Sequence, residues 1–185
     1  MAESAARRVE RDLHMLSAIV RRVMERPTGG GDGATFAQTS ILRWLDRAGP
    51  RRSGDVAKFL SASAPAATQM LARLETKGLV TMRRDPDDRR VQEVSLTDRG
   101  REIVREHDRE RGERLDRLFG GLSSARLTGI AGALEEAIEA LLRDDEGTED
   151  LCLHCGALAS PDCVLRRHGR RCPIEATDSS KPPAA

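Results

Sequence analysis

The chain has 185 residues, of which 38% are hydrophobic and 33% are charged, and its formal net charge is +1. This length allows one domain with an extension, or two small domains. Aromatic residues make up only 2% of the chain, which argues against single-strand nucleic-acid binding by stacking of bases on aromatic side chains. The small net charge gives no overall positive field, so any basic nucleic-acid surface must be local.

The sequence lacks the features that several classes of protein function require. No run of 18 apolar residues occurs, and the first residues lack the apolar core of a signal peptide, so we expect neither a membrane span nor secretion. The expected location is therefore the cytoplasm. Paired carboxylates, a Ser/His/Asp set, a glycine-rich phosphate loop and a cofactor fingerprint are all missing, so we expect no enzymatic activity.

Apolar residues recur every three or four positions over two N-terminal stretches, and this spacing predicts amphipathic helices. The first helix covers about residues 3–25 and ends at the glycine- and proline-rich segment 27–33. The second begins near Thr35 and ends at Gly49-Pro50.

A pair of shorter helices is predicted next. Ser53 is the expected N-cap of the first, and a tight turn at residues 61–63 separates it from the second. The second covers about residues 64–77 and ends at Gly78, because glycine readily adopts the backbone conformation that closes a helix.

The following stretch changes to the alternation that is typical of β-strands. Residues 79–84 and 91–96 alternate, and the turn-forming residues 85–88 lie between them. A short helix, a tight turn, a second helix and a hairpin together predict a winged helix-turn-helix with its core at about residues 35–97. In such a module the second helix enters the major groove of DNA, while the hairpin tip reaches phosphates or the minor groove.

Two long helices follow the predicted hairpin. Thr97 is the expected N-cap of the first, at about residues 98–119, and Ser123 or Ser124 caps the second. The amphipathic helices at both chain ends cannot bury their apolar faces against so small a module, so we expect a two-fold homodimer that interleaves them. The predicted fold class is mainly α, with residues 1–150 forming the DNA-binding and dimerisation domain.

The motifs of this region resemble those of MarR-family transcriptional regulators in order and spacing, over about residues 10–143. The most specific stretch runs from Arg84 to Gly100 and reads Arg-Asp-Pro-Asp-Asp-Arg-Arg, then Val-Ser-Leu-Thr-Asp-Arg-Gly. The resemblance implies a homodimeric repressor or activator that binds a pseudo-palindromic operator in double-stranded DNA, and we expect a repressor. It also implies a cleft between the DNA-binding and dimerisation lobes for a small effector molecule, which His14 and His107 could line.

The resemblance places the recognition helix at about residues 64–77, and it matches Asp88 and Arg90 to the Asp-x-Arg pair of the family's wing. Glutamine can bond adenine bidentately, and an arginine at a hairpin tip fits a narrow A·T-rich minor groove. Alone, the hairpin arginines could be a solvated run of charge, but the helix pair in register favours DNA contact. The candidate DNA-binding residues are Ser63, Thr68, Gln69, Arg73, Arg84, Asp88, Arg89 and Arg90.

All four cysteines lie close together near the C-terminal end, in the spacing C-x2-C-x7-C-x8-C. A disulfide framework would normally span the fold that it links, so this clustering favours one metal or cluster site over regulatory disulfides. The predicted ligands are Cys152, Cys155, Cys163 and Cys172. Residues 151–175 would form this module, and residues 176–185 are expected to be disordered because they lack apolar content.

The inorganic centre has two candidates. Zinc suits four thiolates in a tetrahedral site, but its usual sites pair two short cysteine knuckles. An iron–sulfur cluster accepts irregular spacing, and a ligand cysteine followed by proline, as at Cys172-Pro173, recurs in ferredoxin-type sites. The segment from Cys152 to Arg166 is also similar to the 2Fe–2S loop of MerR-family redox regulators of the SoxR type, although Ala157 stands where that loop has a third cysteine.

These observations favour an iron–sulfur cluster over zinc, and a module that senses redox state, oxygen, nitric oxide or iron. The alternative keeps the DNA-binding function and makes the module a structural zinc site, with a small molecule in the family's cleft as the effector.

Overall fold

The computed structural model describes residues 4–24, 34–84, 92–143 and 162–169. The predicted tail at 176–185 lies outside these residues. In chain order the elements are α1 (Ala5–Met24), α2 (Phe36–Ala48), β1 (Arg51–Arg52), α3 (Ser53–Phe59), α4 (Ala64–Thr76), β2 (Val80–Arg84), β3 (Gln92–Leu96), α5 (Asp98–Phe119), α6 (Ser124–Leu142) and α7 (Val164–Arg167).

Helix α2 begins at a capping box, which confirms its predicted start. The Thr35 hydroxyl accepts a hydrogen bond from the Gln38 amide at 3.3 Å, and the Thr35 amide donates to the Gln38 side chain at 3.0 Å. Two N–H groups that would otherwise lack partners at the helix start are thereby satisfied. From this anchored end the helix places Ile41, Leu42 and Leu45 in the centre of the core.

The start of α3 differs from the prediction, which made Ser53 the N-cap. Ser53 is instead the first helical residue, and Arg52 is an N-cap without a side-chain hydrogen bond. The reason is the short strand β1, in which Arg51 and Arg52 pair with Val94 and Glu93. Arg52 is the last residue of this strand and also the extended cap residue, and the helix begins directly after it at Ser53.

The three strands form an antiparallel sheet in the order β1-β3-β2, with β3 at its centre. Val80 pairs with Leu96 at the base of the hairpin, and Arg84 pairs with Gln92 towards its tip. The predicted pairing of the two strands is therefore confirmed, with β2 beginning one residue later than its pattern suggested.

The junction between α4 and β2 is a Schellman motif around Gly78. The Gly78 amide donates to the Glu75 carbonyl at 2.8 Å, and the Leu79 amide donates to the Leu74 carbonyl at 3.0 Å. Gly78 has a φ of 68°, a value that favours glycine because it has no Cβ. This confirms the predicted helix end and fixes the direction in which the hairpin leaves α4.

One apolar core joins α2, α3, α4, the sheet and the start of α5. Val56, Leu71 and Leu74 hold the two short helices in it, and the rings of Trp44 and Phe59 stack at 4.4 Å with an interplanar angle of 6°. The buried members are Ile41, Leu42, Trp44, Leu45, Val56, Phe59, Leu71, Leu74, Leu79, Val80, Val94, Leu96 and Val104.

Helix α5 is anchored to the sheet by its predicted cap, Thr97. The Thr97 hydroxyl accepts from the Gly100 amide at 3.0 Å and donates towards the carbonyls of Gly78 at 2.8 Å and Leu79 at 3.0 Å. One side chain therefore caps a helix and also ties that helix to the α4–β2 junction.

The long helices expose their apolar faces in the single chain, as the sequence predicted. No residue of α6 is buried, and its exposed apolar residues recur every three or four positions. Arg114 of α5 reaches α1, where it donates to the Val23 carbonyl at 2.8 Å. The exposed apolar residues of α1, α5 and α6 are Val9, Met15, Leu16, Ile19, Val20, Ile103, Leu118, Phe119, Leu127, Ile130, Leu134, Ile138 and Leu141.

Candidate DNA interface

The helix pair α3–α4 is joined by the tight turn that was predicted at residues 61–63. Ser61 in this turn has a φ of 47°, an unusual value for a residue other than glycine. Ser63 is the N-cap of α4, and its hydroxyl accepts from the Ala66 amide at 3.4 Å. The structure thus gives Ser63 a capping role at the exposed start of the helix, beside its predicted role as a contact.

Helix α4 has one buried face and one exposed face. Ala67, Leu71 and Leu74 point into the core, whereas Gln69 and Arg73 are exposed and lie one turn apart. Because the buried face fixes the helix on the body of the protein, the exposed face presents its polar side chains in a defined direction.

Two threonines of α4 also lie on its exposed side. Thr68 is exposed, and its hydroxyl donates to the Ala64 carbonyl at 2.8 Å, which leaves the oxygen available as an acceptor. Thr76 has the same arrangement with the Ala72 carbonyl at 2.9 Å. Thr76 was not among the predicted contacts, although its position seven residues after Gln69 puts both on one helical face.

The hairpin carries the other predicted contacts. Arg84 is exposed at the end of β2, opposite Gln92, and Arg83 beside it is also exposed. Asp88, Arg89 and Arg90 lie outside the described residues, so their predicted contacts stay predictions.

A hydrogen bond that the sequence did not indicate joins α4 to the hairpin. The Glu75 carboxylate accepts from the Met82 amide of β2 at 2.9 Å. Because β2 is an edge strand, it has a neighbouring strand on one side only, and Glu75 gives this amide an acceptor outside the sheet. Glu75 therefore helps to hold the hairpin at a set angle to the exposed face of α4.

A charged cluster supports the module where α2 meets α5. Arg43 has only 6% of its side chain exposed, and its Nη2 lies 3.0 Å from Oδ1 of Asp108. Nδ1 of His107 lies 3.7 Å from the same oxygen. Burial first, and then the positive charge of Arg43, lower the pKa of His107, which favours the neutral imidazole. The other histidine considered for a cleft, His14, is exposed on α1.

The cysteine module is described only in part. Cys163 is half-buried and is the N-cap of the short helix α7, whereas Cys152, Cys155 and Cys172 lie outside the described residues. Within the described ranges no group of three or more His, Cys, Asp or Glu side chains is placed to hold a metal ion. In the same ranges no helix is both long and apolar enough to cross a membrane.

Comparison with known proteins finds a family model that is similar to the winged helix-turn-helix region. Residues 35–91 match the sequence model of the MarR family, whose members are DNA-binding regulators and not enzymes. An uncharacterised helix-turn-helix transcriptional regulator of Bacillus subtilis, YdgJ, is 30% identical over 92 residues, which are 50% of this chain and 56% of that protein. The repressor MdtR of the same organism is 37% identical over 68 residues, 37% of this chain and 44% of MdtR.

The similarity to solved structures extends beyond the matched module. BpsR of Bordetella bronchiseptica, whose DNA binding is regulated by 6-hydroxynicotinic acid, is 25% identical with a TM-score of 0.55. The superposition covers 70% of this chain and 98% of BpsR. The chain therefore has the mainly helical fold of MarR-type proteins, although it aligns with only about half the length of the two sequence relatives.

Proposed function

We propose that this chain is a homodimeric transcriptional repressor of the MarR type that binds a pseudo-palindromic operator. The observation that carries the proposal is the exposed face of α4, where Gln69 and Arg73 stand one turn apart on a helix whose other face is buried. The relatives named as a regulator and as a repressor support the same function.

Each part of the module has a specific role in this proposal. Gln69 would bond an adenine edge and Arg73 a guanine edge or a phosphate in the major groove. Arg84 on β2, with Arg89 and Arg90 of the wing, would bind phosphates and the minor groove, and Asp88 would pair with Arg90 as in the family's Asp-x-Arg pair. Glu75 does not contact DNA in this scheme; it keeps the wing and α4 in register.

The dimer follows from the exposed apolar faces of the long helices. Helix α6 exposes Leu127, Ile130, Leu134, Ile138 and Leu141 along one side. A continuous apolar stripe of this length is typical of a protein–protein contact. A second copy of the chain would cover it by a two-fold arrangement and would place two copies of α4 on one DNA duplex.

Replacing Gln69 with alanine tests whether α4 recognises the base sequence of the DNA. We expect the affinity for a duplex selected from random sequence to fall about 10- to 100-fold, the discrimination that a bidentate base contact provides. The affinity for a scrambled duplex should change little, because phosphate contacts remain. Fluorescence anisotropy titrations at fixed salt measure both. Arg126→Ala, at the exposed start of α6, is the control. Equal losses on both duplexes would contradict base reading by Gln69.

The cysteine segment forms the second part of the proposal. We propose that Cys152, Cys155, Cys163 and Cys172 bind one centre, favouring an iron–sulfur cluster over zinc, and that this centre senses redox state, oxygen, nitric oxide or iron. Support comes from the clustered spacing of the thiols and from the half-buried position of Cys163 on a helix that contacts α6.

Anaerobic purification followed by iron, sulfide and zinc analysis tests this centre. We expect brown protein with iron and acid-labile sulfide, and loss of both in Cys155→Ala, since four thiolates are needed to hold a cluster. Colourless protein with one zinc per chain would favour the structural zinc alternative. Protein without bound metal in every preparation would contradict both centres.

The alternative function, with a small molecule as the effector, has its own support. The DNA binding of BpsR is regulated by a small aromatic acid, which supports a small-molecule effector for this chain. In that case the regulator would respond to the ligand whether or not the four cysteines are present.

A further inference from the structure

The C-terminal segment contacts α6 through the side chains of Arg167 and His168. Nη2 of Arg167 lies 2.6 Å from Oε2 of Glu135 and 3.8 Å from Oε1 of Glu139. Nε2 of His168 lies 3.8 Å from the same Glu139 oxygen. Two adjacent basic residues of the segment thus meet two carboxylates that are one turn apart on α6.

This contact uses a face of α6 that differs from the apolar one. Glu135 and Glu139, which contact the segment, are half-buried together with Gly132 and Leu142 on one side of α6. At 100° per residue, this side is turned by about 120° from the apolar stripe centred on Leu134. The segment can therefore stay bound to α6 while a second copy of the chain covers the stripe.

Cys163 and the Arg167 ion pair lie at opposite ends of the same short helix. The Cys163 carbonyl accepts from the Arg166 amide at 3.0 Å at the start of α7, and Arg167 is the last helical residue. Cys163, Val164 and Leu165 are half-buried. A helix of four residues has too few internal hydrogen bonds to persist alone, so its order depends on what holds its two ends.

We propose that α7 is a latch that transmits the state of the cysteine centre to α6. One end is held when Cys163 is bound in the centre, and the other end is held by Arg167 and His168 on Glu135 and Glu139. Assembly of the centre orders α7 on α6 and steadies this helix; loss of the centre releases it. The coupling rests on the proposed function in one respect, namely that Cys163 is a ligand.

Hydrogen–deuterium exchange on the full chain tests the latch. The probe is zinc chloride added to reduced, metal-free protein, because zinc binds four thiolates whichever centre is native. We expect zinc to slow exchange about three- to five-fold in residues 164–169 and in residues 132–142 of α6, the range that exposed ion pairs support. In Arg167→Glu, zinc should still bind, but the effect on α6 should be lost.

Two further variants make the result specific. The exchanged pair Glu135→Arg with Arg167→Glu should restore the response of α6, because the ion pair is rebuilt with reversed charges. Arg126→Glu makes the same change of charge at the start of α6 and should leave the response intact. A response of α6 in Arg167→Glu equal to that of the original chain would overturn the latch, as would its absence in the original chain.

Metal content and the exchange response of α6 together distinguish a wrong latch from a wrong cysteine centre. Metal analysis of the same samples shows whether zinc is retained. Retained zinc without a response of α6 overturns the latch alone. Absence of bound zinc overturns the cysteine centre and the latch with it. Operator binding by metal-free Arg167→Glu should equal that of the metal-free original chain in every case.

Discussion

Replacing Gly100 with alanine is expected to destabilise the protein by about 3 kcal/mol, at the upper end of the cost of overpacking a core. An added Cβ at this position would lie 2.2 Å from the Leu79 carbonyl oxygen and 2.7 Å from Cδ1 of Leu96. The first of these atoms is backbone and cannot rotate away. Relief would require α5 to move from the α4–β2 junction that Thr97 ties to it.

Chemical denaturation monitored by circular dichroism measures this loss. Gly112→Ala on the same helix is the matched control, because nothing lies within 4 Å of a Cβ there. Alanine in an open helical position should stabilise the protein by about 0.5–1 kcal/mol. If Gly100→Ala were as stable as Gly112→Ala, the close approach of α5 to the sheet would be wrong.

Introducing a charge into the apolar stripe of α6 is expected to separate the dimer. Leu134 is exposed in the single chain and lies at the middle of the stripe. In Leu134→Glu a carboxylate would be buried in the proposed interface without a partner. The free energy needed to desolvate this charge is expected to exceed the free energy gained by forming the dimer. The mass in solution should fall from two chains to one. Operator affinity should fall at least about 100-fold, because the second α4 no longer adds to binding.

Ala140→Glu supplies the control for this variant. Ala140 is exposed on the same helix, on the side away from the stripe, so the same charge there should leave both mass and operator affinity unchanged. Light scattering coupled to size-exclusion chromatography gives the mass. A dimer that persists in Leu134→Glu would show that α6 does not form the contact between copies.

Features set by neighbouring residues in the chain were predictable from sequence. The capping box at Thr35, the glycine end of α4 at Gly78, the hairpin and the cap at Thr97 each depend on a few adjacent residues. Strand β1 was missed because Arg51 and Arg52 become a strand only by pairing with distant Val94 and Glu93. That pairing also displaced the predicted start of α3.

The residues of the candidate site also fall into two groups: those that local sequence predicts, and those that depend on distant partners in the fold. The face of α4 that carries Gln69 and Arg73 follows from helical periodicity, and the same periodicity would have added Thr76. The capping role of Ser63 was also readable, since a serine before Ala64-Pro65 is a typical helix start. Glu75 and Arg167 could not be assigned in advance, because their partners Met82 and Glu135 are brought close only by the folded chain.

Selection of binding sites from a pool of random duplex DNA shows whether the chain reads DNA as a dimer through α4. We expect one enriched sequence with two inverted half-sites about one helical turn apart, as a two-fold dimer requires. Footprinting should show protection of both half-sites on each duplex. Enrichment of a single unpaired half-site, or no enrichment above random sequence, would contradict a dimer that reads DNA through α4.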